Sequence, residues 1–207
     1  SWTTITGKVL TTPLTDMHSD ALVKDFEQDG KVVYINDLNF DKKGNPVALI
    51  VTSKGFQPGP AGDPREWLVL HWKNNQWNVR KICNSTSNYD MGSLYVEGNH
   101  WQVIGPTQPG PQRYGTGGEM ALWESDDEGE SWHKKKDLTK NSLRNHSYAR
   151  RPLNAHPDFY AFWADGDADK LSASHLYFSN KQGVVYELPY SMTADFISPL
   201  VVKLPAK

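Results

Sequence analysis

The segment 145–152, Asn-His-Ser-Tyr-Ala-Arg-Arg-Pro, carries the densest set of side chains that could transfer protons and bind an acid. His146 can accept a proton near neutral pH, Tyr148 can donate one, and Arg150 can hold a carboxylate in a planar two-point contact. In a regular β-strand these three side chains fall on one side and Arg151 on the other. The alternative interpretation is an aromatic ring and a cation packed between two sheets.

The arginines favour an anionic ligand, because guanidinium groups match the geometry of carboxylates. Five of the six arginines lie in or beside predicted long loops: Arg65, Arg113, Arg144, Arg150 and Arg151. The alternative is that they form ion pairs with aspartates of neighbouring loops. As substrate-binding residues we select Arg65, Arg113, Tyr114, Arg150 and His18.

Two further histidines are candidates for proton transfer. His175 follows a predicted long loop, and His18 lies in a loop that corresponds to the one before His146. We group His175 with His146 and Tyr148 as the predicted catalytic set, and we assign His18 to substrate binding.

Alternating carboxylates at Asp165, Asp167 and Asp169 are typical of a calcium loop. Such a loop needs Gly at its sixth position and Glu at its twelfth, where this chain has Lys170 and Leu176. We therefore predict no metal ligand and no cofactor, with calcium near the three aspartates as the alternative.

The composition narrows the classes of partner. The net charge is −2, from 22 basic and 24 acidic residues, and no long block has one sign, which argues against a nucleic-acid partner. No stretch is apolar enough to span a membrane.

Cys83 is the single cysteine, so an internal disulfide is excluded, and it is predicted to be a packed thiol. We expect any export signal to lie upstream of residue 1 or to have been removed.

The segment 125–132, Ser-Asp-Asp-Glu-Gly-Glu-Ser-Trp, matches the Asp-box pattern Ser/Thr-x-Asp-x-Gly-x-Ser/Thr-Trp at every defined position. A tight hairpin turn accounts for this pattern. Asp127 can accept hydrogen bonds from turn amides, Gly129 can adopt a positive φ, and Trp132 can pack between sheets.

Weaker copies of this turn recur along the chain. Their marker residues are 75, 55 and 54 residues apart, at Trp2, Trp77, Trp132 and Tyr186. These spacings predict an all-β fold, a β-propeller of four-stranded antiparallel blades.

The predicted blades cover about residues 20–83, 84–137 and 138–190. Residues 1–13 are predicted to be the outer strand of a preceding blade, and 191–207 to contain a closing strand. About three blades do not close a ring, which typically needs four to eight. We therefore expect a C-terminal portion of a larger propeller, whose remaining blades are partners of this chain.

Loop lengths distinguish the two ends of the predicted blades. Turns between strands one and two, and between strands three and four, are short, whereas the other connections are long and emerge at the opposite end. Long loops on a rigid scaffold are where binding and catalysis concentrate. We therefore predict the functional site at the long-loop end and a structural role for the Asp box.

Four sequence features together resemble the Asp-box family of β-propellers, also called the bacterial neuraminidase repeat family. They are the Asp box, Phe-Asp-Lys-Lys-Gly-Asn-Pro at 40–46, Tyr-Ala-Arg-Arg-Pro at 148–152, and Phe-Tyr-Ala-Phe-Trp-Ala-Asp-Gly-Asp at 159–167. The resemblance runs from about residue 20 to 188. This group includes sialidases and propeller polysaccharide lyases that cleave next to uronic acids, such as ulvan lyases. It implies a carbohydrate-active enzyme that is secreted, periplasmic or at the cell surface.

Lyase-like chemistry implies a His or Tyr that removes the proton next to a carboxylate, which an Arg neutralises. On this reading Arg113 and Arg150 are the clamps, and the predicted catalytic residues His146, Tyr148 and His175 exchange protons. We rank a lyase or related glycoside hydrolase acting on a uronic-acid glycan first.

Two other functions stay open. A sialidase needs three arginines on one carboxylate, and Arg65, Arg113 and Arg150 come from three predicted blades. However, the Arg-Ile-Pro-like segment common in sialidases is absent from this sequence. A non-catalytic glycan-binding propeller is the third interpretation. In each case the expected partner is an oligo- or polysaccharide with carboxylate groups, and neither nucleic acid nor membrane.

Overall fold

Thirteen strands form three antiparallel sheets in the computed structural model, which describes residues 1–205. The first sheet contains β1 (Val32–Phe40), β2 (Pro46–Ser53), β3 (Arg65–Lys73) and β4 (Gln76–Ser85). The second contains β5 (Ser93–Glu97), β6 (His100–Gln108), β7 (Glu119–Ser125) and β8 (His133–Asp137). The third contains β9 (Asn145–Arg150), β10 (Ala161–Gly166), β11 (Leu176–Ser179), β12 (Val185–Glu187) and β13 (Leu200–Val201).

In each sheet the strands pair with their neighbours in the chain, so all three sheets are meanders. A short 3₁₀-helix, Pro60–Gly62, precedes β3. No helix in the described part of the chain is long or apolar enough to cross a membrane.

The two ends of the chain differ from the predicted strands. Residues 1–13 form no strand; a single antiparallel bridge joins Thr3 to Val9. The predicted closing strand within 191–207 is reduced to β13, which adds to the outer edge of β12. Residues 206–207 lie outside the described part of the chain.

The sheets pack face to face in chain order around large aromatic side chains. One core, between the first two sheets, contains Trp67 and Trp101, and the next contains Trp163. All three indoles are under 2 % exposed. The Trp67 ring lies so close to Gly92 and Gly105 that a Cβ on either glycine would be 2.8 Å from it. These glycines therefore permit the close approach of the two sheets.

The first strands of the three sheets lie side by side and are joined by hydrogen bonds from side chains to backbone. Asn36 Oδ1 accepts from the Gly92 amide at 2.7 Å, which links β1 to the start of β5. Ser93 Oγ donates to the Ala149 carbonyl at 2.8 Å, which links β5 to β9. The stack therefore has one edge at which successive first strands meet.

The turn at 125–132 has the predicted local structure. Asp127 Oδ1 accepts from the Ser131 amide at 2.9 Å and its Oδ2 from the Ser131 hydroxyl at 2.6 Å. Gly129 has φ +83°, and a Cβ there would lie 2.6 Å from the Trp101 ring. The local predictions for Asp127 and Gly129 are thus confirmed.

The short turns and the long loops lie at opposite ends of the sheets. At the short-turn end the Glu128 amide donates to the Asn99 carbonyl at 3.1 Å, which joins both turns of the second sheet. At the other end the Asn88 side-chain amide donates to the Phe56 carbonyl at 3.3 Å, between two long loops. The segregation of loop lengths predicted from the sequence is confirmed.

Candidate functional site

Four long loops, 54–64, 86–92, 109–118 and 167–175, surround a cleft of about 490 Å³, which we call the Arg113 cleft. The loops that line this cleft connect strands of all three sheets. Its lining residues are Phe56, Pro58, Ser87, Asn88, Tyr89, Pro111, Gln112, Arg113, Tyr114, Gly115, Thr116, Ala168 and Asp169.

Asn145, at the start of β9, holds the 109–118 loop in place. Its Nδ2 donates to the carbonyls of Gln112 and Thr116 at 2.9 and 3.2 Å, and its Oδ1 accepts from the Gln112 amide at 3.1 Å. Because Asn145 is buried, these bonds satisfy its amide group away from water. Arg113 and Tyr114 are thus carried on a loop that is anchored on both sides.

Arg113 and Arg150 differ from the other arginines in their partners. The other four form ion pairs: Arg65 with Asp63, Arg80 with Glu130, Arg144 with Asp165, and Arg151 with Asp37. Arg113 and Arg150 have no carboxylate within 4.0 Å among residues 1–205. Their guanidinium groups lie over tyrosine rings instead, 5.3 Å from the centre of Tyr114 and 5.4 Å from that of Tyr148.

Three aromatic side chains give the Arg113 cleft partly exposed walls. Tyr89 and Tyr114 are 44 and 37 % exposed, and Phe56 is more exposed than either. Tyr34 packs edge-on against Tyr89 with ring centres 5.1 Å apart, which limits the orientations of the Tyr89 ring. Exposed rings beside an unpaired guanidinium form a surface suited to a flat, anionic, hydroxyl-rich ligand.

Tyr148 lies in a β-bulge, which overturns the predicted alternation along β9. Ser147 pairs with Ala164 and Arg150 with Phe162, so that Tyr148 and Ala149 both lie opposite Trp163. Tyr148 has φ +59° and is 47 % exposed, whereas Ala149 takes the buried position. A bulky residue at positive φ is strained, and such strain is often found at functional sites.

The bulge also separates Arg150 from His146. His146 is bonded to Trp163, whereas Arg150 pairs with the adjacent residue of β10, Phe162, and so lies on the other face of the sheet. Four residues along a strand span roughly 13 Å. Arg150 and Tyr148 do not line the Arg113 cleft, so this cleft does not bring Arg113 and Arg150 together.

His146 is buried, and both of its ring nitrogens are engaged. Trp163 Nε1 donates to its Nδ1 at 3.0 Å, so a neutral ring carries its proton on Nε2, 3.0 Å from Ser142 Oγ. The Ser142 hydroxyl in turn donates to Glu119 Oε2 at 2.8 Å. Burial lowers the pKa of His146, which favours this neutral form. The ring therefore has no free nitrogen with which to remove a proton from a substrate.

His175 lines a second, smaller cavity of about 200 Å³, together with His146, Arg144 and Tyr177. Its Nδ1 is hydrogen-bonded to Glu187 Oε1. Its Nε2 makes no hydrogen bond within the described chain, so it is free to exchange a proton. The His175 cavity and the Arg113 cleft share no lining residue. The structure therefore brings His146 and His175 together but separates them from Arg113 and Tyr114.

Two predicted substrate-binding residues lie elsewhere. Arg65 is 1 % exposed, and its guanidinium donates to Asp63 Oδ1 at 2.7 Å and to the carbonyls of Gln57 and Gly59 at 2.9 and 2.8 Å. It holds its own loop, so its prediction as a substrate ligand is corrected. His18 lies in the N-terminal segment, next to Asp25 and outside both cavities.

The three aspartates of the predicted calcium alternative do not converge. Asp165 is buried and accepts from Arg144 Nε at 3.2 Å and from the His175 amide at 2.6 Å. Asp167 accepts from the Asp169 amide at 3.0 Å, while Asp169 lines the Arg113 cleft. Within residues 1–205 no group of three or more carboxylate, His or Cys side chains is placed to hold a metal ion.

Three residues of this end are given no role by the sequence analysis: Phe56, Tyr89 and Asp90. All three lie in long connections, 54–64 and 86–92, so loop length places them at this end without indicating what they do. Tyr89 and Phe56 line the Arg113 cleft, and Asp90 is buried beneath it.

Two solved structures of ulvan lyases, from a new family of polysaccharide lyases, share this fold. One matches with a TM-score of 0.63 and 16 % identity, over 87 % of this chain and 40 % of its own. The other, bound to -[GlcA(1-4)Rha3S]-, matches with a TM-score of 0.63 and 15 % identity over the same shares. At this identity the likeness shows the fold alone, and the chain spans 40 % of the length of these enzymes. No protein-family model and no curated protein matches the chain.

Proposed function

We propose that the chain is part of a β-propeller polysaccharide lyase that cleaves a uronic-acid-containing glycan. The stacked sheets, two of four strands and one of five, are joined through their first strands and so support the propeller arrangement. On this proposal the blades lie at about 20–83, 84–137 and 138–190, and further blades outside the chain complete the ring. Two ulvan lyases that share the fold favour a lyase over the other classes of glycan-binding propeller.

The observation that carries the proposal is the unpaired guanidinium of Arg113 in an aromatic cleft. A buried or paired arginine would satisfy itself within the protein, whereas Arg113 has its donors available for a ligand carboxylate. The rings of Tyr89 and Tyr114 are available to contact the apolar face of a sugar. In the reaction Arg113 would neutralise the uronate carboxylate and so make the adjacent carbon acidic.

The proposed reaction is a β-elimination. A base removes the proton from the carbon next to the carboxylate, and that electron pair forms a double bond to the neighbouring carbon. The glycosidic carbon–oxygen bond breaks, and the leaving oxygen takes a proton from an acid. Tyr89 and Tyr114 are the residues of the cleft that carry phenolic hydroxyls for proton exchange. Further blades would supply the groups that this chain does not place there.

The roles predicted for the remaining residues receive unequal support. His175 has a free ring nitrogen and an acidic partner, which keeps it as the alternative base. The three-arginine arrangement of a sialidase is not supported, because Arg65 is bonded to its own loop and Arg150 lies away from Arg113. A polysaccharide supplied from outside the cell is too large to cross a membrane intact, so we further propose that the protein acts as a secreted, periplasmic or cell-surface enzyme.

The test is the formation of unsaturated uronate by the full-length protein from glucuronate–rhamnose polysaccharide, followed by ultraviolet absorbance. We expect Arg113→Ala to lower the rate by about a hundredfold to a thousandfold, as for loss of one transition-state donor. Arg80→Ala is the matched control, because Arg80 forms an exposed ion pair with Glu130 on another surface, and it should leave the rate unchanged.

A variant of His175 tests which of the two cavities carries out the reaction. His175→Ala should lower the rate less than threefold if the Arg113 cleft is the site. A large loss in His175→Ala with an unaffected Arg113→Ala would move the site to the His175 cavity. Binding of the polysaccharide without any product, in the wild type, would contradict the lyase and support a glycan-binding propeller.

A further inference from the structure

Asp90 is a fully buried carboxyl directly beneath the Arg113 cleft, at 0 % exposure. It follows Tyr89 in the 86–92 loop, and its Oδ1 accepts from the Gly117 amide at 2.7 Å. Gly117 belongs to the 109–118 loop, which carries Arg113 and Tyr114. One carboxyl therefore joins the two loops that form opposite parts of the cleft.

Asp90 Oδ2 accepts from the Ser87 amide at 3.2 Å and lies beside the Ser85 hydroxyl, which has two possible acceptors and one proton. Ser85 Oγ lies 2.6 Å from Asp90 Oδ2 and 2.8 Å from the Ser87 carbonyl. A serine hydroxyl has one proton, so it can donate to only one of these two acceptors. If Asp90 is protonated, its Oδ2 donates to Ser85 Oγ, and Ser85 donates to Ser87. Both short contacts are then hydrogen bonds.

The surroundings of Asp90 also favour its neutral form. The groups that face it are the hydroxyl of Ser85, the amides of Thr86, Ser87 and Gly117, and the thiol of Cys83. Burial raises the pKa of the Cys83 thiol to about 12, so it is neutral too. Burial raises the pKa of Asp90 to about 7, against the lowering effect of its hydrogen bonds.

We propose that Asp90 is a positioning residue that, in its protonated form, latches the 109–118 loop to the 86–92 loop and thereby holds Arg113 in the glycan-binding orientation. Ionisation leaves Ser85 with two acceptors and one proton, and places an unpaired charge in the protein interior. The latch then loosens, and the two sides of the cleft separate. The part of this inference that concerns glycan binding rests on the function proposed above.

The direction of the pH dependence follows from the pKa. The pKa of Asp90 in the folded protein, about 7, is above the ordinary value of 3.8 for an aspartate. The stabilisation of the closed loops is therefore fully present below pH 3.8 and is lost as the pH rises through about 7. The cleft should be better ordered in acidic solution than in neutral or alkaline solution.

The test measures amide hydrogen exchange of Gly117, corrected for its intrinsic pH dependence. From one pH unit below the pKa of Asp90 to one unit above it, we expect protection in the wild type to fall about tenfold. Asp90→Asn, whose amide can donate to Ser85 while its oxygen accepts from Gly117, should keep the same protection across this range. Asp20→Asn is the control, because Asp20 is an exposed partner of Lys8, and it should behave as the wild type.

Protection that does not change in the wild type, or that falls equally in Asp90→Asn, would overturn the latch. If Asp90→Asn fails to fold, infrared spectra of the wild type decide the matter. The band of a protonated carboxyl should be present at low pH and should disappear over the same pH range in which Gly117 loses protection. A spectrum without that band at low pH would also refute the proposal. These readouts need no glycan, so the latch and the lyase function can fail independently.

If both proposals hold, glycan affinity follows the latch. The dissociation constant of a non-cleaved uronate oligosaccharide should rise about tenfold over the same pH range in the wild type and stay constant in Asp90→Asn. Constant affinity in the wild type despite a change in Gly117 protection would refute the positioning role of Asp90.

Discussion

Two aspartates at opposite ends of the sheets have similar hydrogen-bond partners and opposite acid–base properties. Asp127, in the short turn, and Asp90, in the long loops, are each hydrogen-bonded to a serine hydroxyl and to backbone amides. The Ser131 hydroxyl and amide lower the pKa of Asp127 to about 2, whereas burial raises that of Asp90 to about 7. Solvation, rather than the number of hydrogen bonds, decides the difference.

This difference separates the short-turn end from the long-loop end. The Asp127 turn is complete within eight residues and keeps its charge in water. Asp90 instead joins segments 27 residues apart, from Asp90 to Gly117, and does so out of contact with water. A junction of this kind can shift one loop relative to another when the pH changes, whereas a self-contained turn cannot.

The largest expected effect comes from a glycine at the long-loop end. In Gly117→Ala, the new Cβ would lie 2.3 Å from the His146 carbonyl oxygen, at a residue with φ +89°. We expect the free energy of unfolding to fall by roughly 2–4 kcal/mol, as measured by denaturant titration. Gly44→Ala is the control in a short turn: it has φ +79° and free space, and should cost about 1 kcal/mol. Equal losses would show that the long loops are no more constrained than a turn.

The next effect compares the two aspartates directly. Asp90→Ala leaves the Gly117 amide and the Ser87 amide without their acceptor in the interior, and should lower the free energy of unfolding by about 2–3 kcal/mol below neutral pH. Asp127→Ala frees amides that water can reach, and should cost about 1 kcal/mol. The reverse order would contradict the assignment of the buried junction to Asp90.

The parts of the fold that could be predicted from the sequence depend on neighbouring residues. The turn at 125–132 and the alternation of β-strands are both local, since a few adjacent side chains determine them. The sequence-based predictions failed where distant segments meet. Alternation along β9 could not reveal the bulge at Tyr148, because Ala149 replaces it in the core only once β10 is paired.

The candidate site could be predicted only in part for the same reason. Loop length correctly placed Arg113 and Tyr114 at the long-loop end, but residue type could not distinguish free arginines from engaged ones. Arg65 is engaged by carbonyls of its own loop, and only the folded path of residues 57–59 brings them to it. The raised pKa of Asp90 could not be predicted from the sequence either, because it depends on burial by a loop that follows Asp90 in the chain.

The smallest expected effect concerns the pH dependence of stability. Asp127 and Asp90 should change the free energy of unfolding in different pH ranges. The folded pKa of Asp127, about 2, is below its ordinary 3.8, so its contribution to stability is present above pH 3.8 and lost as the pH falls through about 2. Asp127→Asn should therefore show the same pH dependence of unfolding as the wild type in neutral and alkaline solution and a weaker one in acid. Asp90→Asn should depart from the wild type between about pH 3.8 and 7 instead, where the wild type loses stability as the pH rises, by at most about 1.4 kcal/mol per pH unit. Measuring thermal unfolding of both variants across the full pH range tests the two directions in one experiment. Departures in the same pH interval would mean that solvation does not distinguish the two ends.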